Sequence, residues 1–230
     1  MPLSGRNLLE VMIKEFFYNQ IKPVIPVQYG WLETKLPEEC IEKLWFYIDK
    51  YKNTSSFPNT ILASVSSNYN LNDDDDWFFN NILLTLCFKY CEFFTNLGEN
   101  YGVTHNHSYC LKDFWVNFQK ETEFTPLHVH SGCIYSFVIW LKIPYDYRQQ
   151  HFILASNGNT SQSSASDFQF SFKNILGLNE IYNYSLDKTY EGTILFFPSQ
   201  LAHQVYPFYN CDDYRISISG NIALDTSKFI

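Results

Sequence analysis

Three of the six histidines, His128, His130 and His203, carry the clearest chemical signal in the chain. His128 and His130 lie in Pro126-Leu-His-Val-His-Ser-Gly132. In a β-strand, side chains at i and i+2 point the same way, about 6.5 Å apart. The two imidazoles would then project together, with Val129 on the other face. That separation lets both converge on one metal ion, each nitrogen about 2.1 Å from it. The same spacing also suits two surface or hydrogen-bonded histidines. His105-Asn-His107 repeats it in a connection rich in Gly and Asn, without a strand pattern, and reads as loop. His203 follows Gly192-Thr-Ile-Leu-Phe-Phe-Pro-Ser-Gln-Leu-Ala. This is a turn, an apolar strand, a proline that ends it and a histidine that starts the next, where a barrel can return a third ligand.

A second signal lies in Tyr214-Arg-Ile-Ser-Ile-Ser-Gly-Asn221. Arg215, Ser217, Ser219 and Asn221 alternate with Ile216, Ile218, Gly220 and Ile222. An arginine inside an apolar strand is costly to bury without an anionic partner, and its planar fork matches a carboxylate bidentately. An edge-strand Arg215 paired with Asp212 or Asp213 is the plainer alternative. Asn117 and Gln119 share one face of an earlier strand, where they can contact a small molecule or pair with each other.

These residues need a β framework, and the chain supplies one after about Tyr101. Pro and Gly punctuate short β-rich runs at Phe114–Lys120, Leu127–His130, Tyr135–Ile143, His151–Leu154, Asp167–Phe172, Ile181–Leu186, Thr193–Phe197, His203–Tyr206 and Tyr214–Ile222. Many short strands without intervening helices indicate a sandwich or barrel. The polar stretch Ser156–Ser166 reads as a long loop of the kind used as a lid. The first hundred residues read as helical. Leu8, Leu9, Met12, Ile13, Phe16 and Phe17 have helical spacing, and Val24–Tyr29 reads as an edge strand. Pro37 opens a second helix striped by Ile41, Leu44, Trp45 and Ile48. Asp73–Asp76 precede a third helix that runs to about Leu97, with Gly98 to end it. Four consecutive Asp invite a metal assignment, but acidic groups at a helix N-terminus satisfy orphan N–H groups and oppose the dipole.

Composition narrows the function classes. With 21 Phe, 17 Tyr and 5 Trp, the 230-residue chain is 19% aromatic, while charged residues make up only 17%. That excludes disorder, collagen-like sequence and a charged coiled coil. A formal net charge of −8 argues against a basic groove gripping nucleic acid through phosphates. Ile82–Leu97 is interrupted by Lys89 and Glu92 and is too short to span a membrane. Met1–Lys22 lacks signal-peptide character, which points to a cytoplasmic location. The six cysteines (Cys40, Cys87, Cys91, Cys110, Cys133, Cys211) are then reduced thiols, and Cys87 and Cys91 are core residues one helical turn apart rather than a redox pair.

Taken together, His128-x-His130, His203 and Arg215-x-Ser217 resemble the iron(II)/2-oxoglutarate-dependent oxygenase superfamily. More closely, Trp115–Gln119, Pro126–Gly132, Ser136–Trp140, Phe197–His203 and Arg215–Asn221 resemble its family common in phages and marine bacteria. The resemblance covers about residues 112–222. It implies a mainly β fold, a double-stranded β-helix (jelly-roll or cupin-like) barrel with an N-terminal α layer. It also implies one domain over residues 1–230, with 1–100 as helical support and 101–230 as the β core. By the same resemblance, His128, His130 and His203 hold Fe(2+), while Arg215 and Ser217 bind the distal carboxylate of 2-oxoglutarate. Asn117 and Gln119 contact cosubstrate or substrate. O2 is the second cosubstrate, and a C–H bond is hydroxylated with release of succinate and CO2. Tyr135 and Trp140 belong to the aromatic core or line the pocket. Substrate choice is expected in loops such as Ser156–Ser166 and Tyr145–Gln150.

One position departs from the superfamily, because most members have a carboxylate where this chain has His130. Three neutral imidazoles leave an iron(II) site at +2 rather than +1. A doubly negative cosubstrate then gives a neutral complex. His130 could instead stand beside the metal, with His128 and His203 coordinating. Three histidines also suit a cupin-like or zinc-dependent enzyme without 2-oxoglutarate, although the zinc reading leaves Arg215 without a role. A non-catalytic jelly-roll binding protein is the remaining alternative.

Overall fold

The computed structural model describes residues 13–16, 18–22, 29–52, 65–94, 108–157 and 164–225. Among the described residues, ten strands form two antiparallel sheets. The larger sheet has the order β1-β8-β5-β10-β3-β2, with β1 Leu32–Lys35, β2 Ser67–Asn70, β3 Tyr109–Gln119, β5 Tyr135–Lys142, β8 Thr193–Pro198 and β10 Arg215–Leu224. The smaller has the order β4-β9-β6-β7, with β4 Thr125–His128, β6 Phe168–Lys173, β7 Asn179–Tyr184 and β9 Ala202–Val205. From β3 onward the chain passes from one sheet to the other at each step except β6–β7, which form a hairpin within the smaller sheet. This is the double-stranded β-helix the sequence implies, and its helices are few.

Alternation along the larger sheet builds two cores at once. On β5, Phe137, Ile139 and Leu141 face one side, while Val138 and Trp140 face the other. On β8, Ile194 and Phe196 oppose Leu195 and Phe197 in the same way. One side packs on the helices α1 (Glu38–Tyr51) and α2 (Leu84–Phe94) through Leu44, Tyr47, Ile48, Leu86, Cys87 and Tyr90. The other closes over Phe168, Phe170 and Tyr184 of the smaller sheet. A side-chain period of two is what allows one strand to serve both layers. Gly220 is the exception on β10. A Cβ there would lie 2.5 Å from Phe137 Cζ and 2.6 Å from the Asp113 carbonyl, so only glycine lets the Phe137 ring cross the strand.

Several expectations need correction. His151–Leu154 is not a strand; it lies within helix α3, Tyr147–Asn157. The Asp146 carboxylate accepts from the Arg148 N–H at 2.8 Å, which starts the helix, and Gln150 exchanges side-chain hydrogen bonds with the Tyr209 backbone. A four-residue apolar run carries no period, so these local bonds decide its form. The helix also absorbs the start of the expected Ser156–Ser166 loop, and residues 158–163 lie outside the described residues. Tyr145 and Gln150 are buried rather than part of a substrate loop. Strands β1 and β2 were not anticipated, because LETK and SNYN show no apolar alternation; they gain their place by pairing with β8 and β3. On α1 the buried face is Cys40, Leu44, Tyr47 and Ile48, and Trp45 is exposed.

Asp73 caps the third helical segment as expected for an acidic N-terminus. Its carboxylate accepts from the Phe78 and Phe79 N–H groups at 3.0 and 2.7 Å and from the Tyr47 hydroxyl at 2.6 Å. That segment opens with a π-helical turn, Phe79–Leu83, before α2. The cysteines in the described residues are free. Residues 13–16 and 18–20 are helical. Leu8 to Met12, Phe17, Val24–Gln28, Leu97, Gly98 and His105-Asn-His107 lie outside the described residues.

The Gly220 contact gives a stability prediction. Gly220→Ala should destabilise the protein by about 1–3 kcal/mol through overpacking. Chemical denaturation checks this, and an unchanged midpoint would contradict the close approach.

Candidate metal centre

The pairing of β4 with β9 places His128 directly opposite His203. Cross-strand neighbours on one face bring their side chains together, and the two ring centroids are 4.2 Å apart. His130 follows just beyond the end of β4. Its backbone N–H donates to the Ser199 carbonyl at 2.9 Å, and Gln200 Nε2 donates to its carbonyl at 2.7 Å. These bonds staple the segment after β4 onto the β8–β9 turn. The His130 ring then lies 4.9 Å from that of His128 and 5.2 Å from that of His203. One ligating atom from each of the three lies within 4.8 Å of the others. The metal-type convergence comes from sheet pairing plus one loop staple, not from a single strand.

Two of the rings are oriented by the backbone. His128 Nδ1 lies 2.8 Å from the Pro126 carbonyl and His203 Nδ1 2.9 Å from the Leu201 carbonyl. A carbonyl can only accept, so each Nδ1 carries the proton and each Nε2 keeps a lone pair for a metal. Burial lowers the affinity of all three rings for a second proton. His203, packed on Phe168 and Phe197, falls well below the usual imidazole range. His130 is pushed down to about 4, first by burial and then by His128, with Asp113 opposing. Neutral imidazoles near neutral pH are what metal ligation requires.

The cluster opens on a cavity of about 350 Å³ between the sheets. Its floor is the inward face of β3 and β10, where Gln119 pairs with Arg215, Asn117 with Ser217, Trp115 with Ser219 and Asp113 with Asn221. All eight line the cavity. Arg215 is 2% exposed and is not an edge arginine; Asp213 pairs with Lys142 instead. Its guanidinium donates to Gln119 Oε1 from Nε and Nη2, at 3.2 and 2.8 Å. The remaining N–H groups go to the Tyr145 hydroxyl at 2.6 Å and to the Ser166 and Tyr206 carbonyls. These hydrogen-bond partners are all neutral. Trp140 lines the cavity, whereas Tyr135 lies in the helix-facing core against Tyr90 and Phe196.

The residues singled out in the sequence thus meet in one cavity. Asp113 and the supporting Tyr145 were missed. Asp113 was readable, since it continues the inward alternation of Trp115, Asn117 and Gln119 by one step. Tyr145 was not, because its bond to Arg215 spans chain-distant elements.

Residues 113–221 match the sequence profile of a family described as "Putative 2OG-Fe(II) oxygenase". That stretch, just under half of the chain, carries the sequence pattern of the 2OG-Fe(II) oxygenases. Among solved structures, the chain resembles a prolyl hydroxylase from Trichoplax adhaerens, solved with a hypoxia inducible factor peptide fragment. The two share 12% identity and a TM-score of 0.54 over 96% of this chain and 94% of that one. AviO1 from Streptomyces viridochromogenes Tue57 is similar at 10% identity and a TM-score of 0.50, over 87% and 92%. A Pseudomonas putida prolyl-4-hydroxylase gives 14% identity and 0.49 over 85% and 93%. At such identities the likeness is one of fold. No curated protein matches the chain. The matched family implies Fe(2+) and 2-oxoglutarate. The neutral imidazole donors fit a divalent iron, and the buried guanidinium with only neutral hydrogen-bond partners fits a dicarboxylate. No helix among the described residues is long and apolar enough to cross a membrane.

The depressed imidazoles predict how the metal-free protein responds to pH. The unfolded chain takes up protons near 6.5, and folded His130 only near 4. Stability is therefore present above about 6.5 and is lost as pH falls through about 4. Thermal denaturation of the metal-free protein should show this loss, reduced in His130→Gln; identical profiles would contradict a buried neutral His130.

Proposed function

We propose that this protein is an iron(II)- and 2-oxoglutarate-dependent dioxygenase that hydroxylates a substrate C–H bond with release of succinate and CO2. The observation that carries the reading is one inward surface bearing both three convergent imidazoles and a buried arginine. His128, His130 and His203 hold the iron. Iron(II) with 2-oxoglutarate and O2 supplies the oxidising power for hydroxylation when bound.

The chain's own residues bind, orient and exclude water. Arg215 attracts the distal carboxylate of 2-oxoglutarate, and Ser217, on the next inward position of β10, adds a hydrogen bond. Gln119 holds the Nε–Nη2 edge of Arg215 with one amide oxygen, so a carboxylate reaching that edge shares or displaces it. Asn117, paired with Ser217, faces the middle of the cavity between Arg215 and the imidazoles. The Pro126 and Leu201 carbonyls fix the tautomers of His128 and His203. Phe168, Phe197 and Trp140 keep the centre dry, which strengthens every electrostatic contact within it. Three neutral ligands leave the metal's charge for the cosubstrate dianion to neutralise.

Anaerobic addition of iron(II) and 2-oxoglutarate should produce a visible metal-to-ligand charge-transfer band. Arg215→Ala should abolish it at the same cosubstrate concentration. Gln119→Glu, which puts a carboxylate against Arg215, should weaken 2-oxoglutarate binding at least about tenfold while leaving metal affinity intact. No band and no succinate release in the unaltered protein would overturn the reading.

The ligand set has its own test. His130→Ala should weaken iron(II) binding by at least about tenfold, measured by calorimetry without oxygen. Unchanged affinity would leave His128 and His203 as the only imidazole ligands.

A further inference from the structure

The proposed reaction leaves one charged group of the cavity without a task. Asp113 is the only carboxylate lining it among the described residues. It sits opposite Asn221, six positions along each strand from the Gln119–Arg215 pair, roughly 20 Å away at about 3.3 Å per residue. The cavity therefore has a guanidinium at one end and a carboxylate at the other. The imidazoles lie toward the carboxylate end. Trp115, the next inward residue after Asp113, has its ring 6.1 Å from that of His130.

The carboxylate is held and only half used. Asn221 Nδ2 donates to Asp113 Oδ2 at 3.0 Å. Asn221 Oδ1 accepts from Ser136 Oγ at 2.7 Å, which fixes the amide with its NH2 toward Asp113. Among the described residues no other hydrogen bond and no ion pair reaches Asp113. Beside it on the inward face of β3 stands the Trp115 indole. A ligand covering a carboxylate that lacks a cation costs several kcal/mol unless it brings the positive charge itself. A nearby indole adds to the preference for a cation. The same cost rejects neutral and anionic molecules, so the arrangement discriminates as well as binds.

We propose that Asp113 is the substrate-recognising carboxylate, and that the substrate presents an ammonium or guanidinium group to it while the carbon to be oxidised lies at the His128–His130–His203 cluster. This rests on the oxygenase reading above and names its substrate class: a molecule with a basic side chain or terminal amine. Arg215 and Asp113 then divide the cavity, the first taking the dicarboxylate and the second the cationic substrate.

The test uses the full chain loaded with Mn(II) and 2-oxoglutarate. Nα-acetyl-lysine methylamide, Nα-acetyl-arginine methylamide and the uncharged Nα-acetyl-norleucine methylamide are titrated by calorimetry. Relaxation of the probe protons by Mn(II) reports whether they lie near the imidazoles. At least one cationic probe should bind about tenfold or more tightly than norleucine and be relaxed by the metal. Asp113→Asn should reduce that preference to within about twofold, and Asp113→Glu should retain it. Both variants should keep the Mn(II) affinity of the unaltered protein. The proposal is overturned if no cationic probe is preferred or if Asp113→Asn keeps the preference. It is also overturned if Asp113→Asn lowers Mn(II) affinity, since Asp113 would then act by positioning His130. Failure of the unaltered protein to bind Mn(II) or 2-oxoglutarate is a separate result. It would overturn the oxygenase reading, and this proposal with it.

Discussion

Burying the Arg215 guanidinium is the constraint around which the cavity end is built. An unsolvated cation costs several kcal/mol unless its donors are satisfied. The protein meets all five N–H groups with acceptors from four separate places: Gln119 on β3, Tyr145 before α3, Ser166 before β6 and Tyr206 after β9. Both sheets and the α3 connection are thereby tied to one side chain. The cost of this arrangement is visible at Ser166. It adopts a left-handed φ of 68°, and its Oγ is buried without a partner. Such a residue is strained by about 1–3 kcal/mol, and its carbonyl is held at Arg215 by that conformation.

The imidazole cluster depends on a different economy. His128 and His203 are neighbours because β4 and β9 pair in that register, and a slip of one residue would turn one of them away from the cavity. His130 lies past the strand and owes its place to Ser199 and Gln200. The two parts of the site meet because β4 and β9 belong to the smaller sheet and Arg215 to the larger. The barrel's closure across Phe168, Phe170 and Phe197 sets the distance between them, so the aromatic excess of the chain serves as the spacer between the imidazoles and Arg215.

Much of this was legible in the sequence where a local period carries the information. The alternation of Arg215, Ser217, Ser219 and Asn221 with apolar neighbours marks a strand with one polar, inward face, and β10 has that face. The apolar run Tyr135–Ile143 reads as a strand, and β5 occupies it. The acidic run at Asp73 was readable as a cap, because the chemistry of a helix N-terminus is local. Where no period exists the sequence is silent. The run His151–Leu154 is helix because Asp146 and Tyr209 bind Arg148 and Gln150 in the turn before it, and β1 and β2 are strands only because β8 and β3 offer them an edge.

The sequence by itself determined the residue types of the site and the faces they occupy: three histidines, one arginine and a row of polar groups on a single strand surface. A strand's side-chain period of two is fixed by its backbone, so face assignment needs no knowledge of the rest of the fold. Only the tertiary structure decided which of those groups meet. The 4.2 Å between His128 and His203, the five neutral bonds of Arg215 and the placement of Asp113 beyond Trp115 all depend on strand pairing between distant segments. Register and closure are set by packing summed over the whole core, and that sum is not written at any one position of the chain.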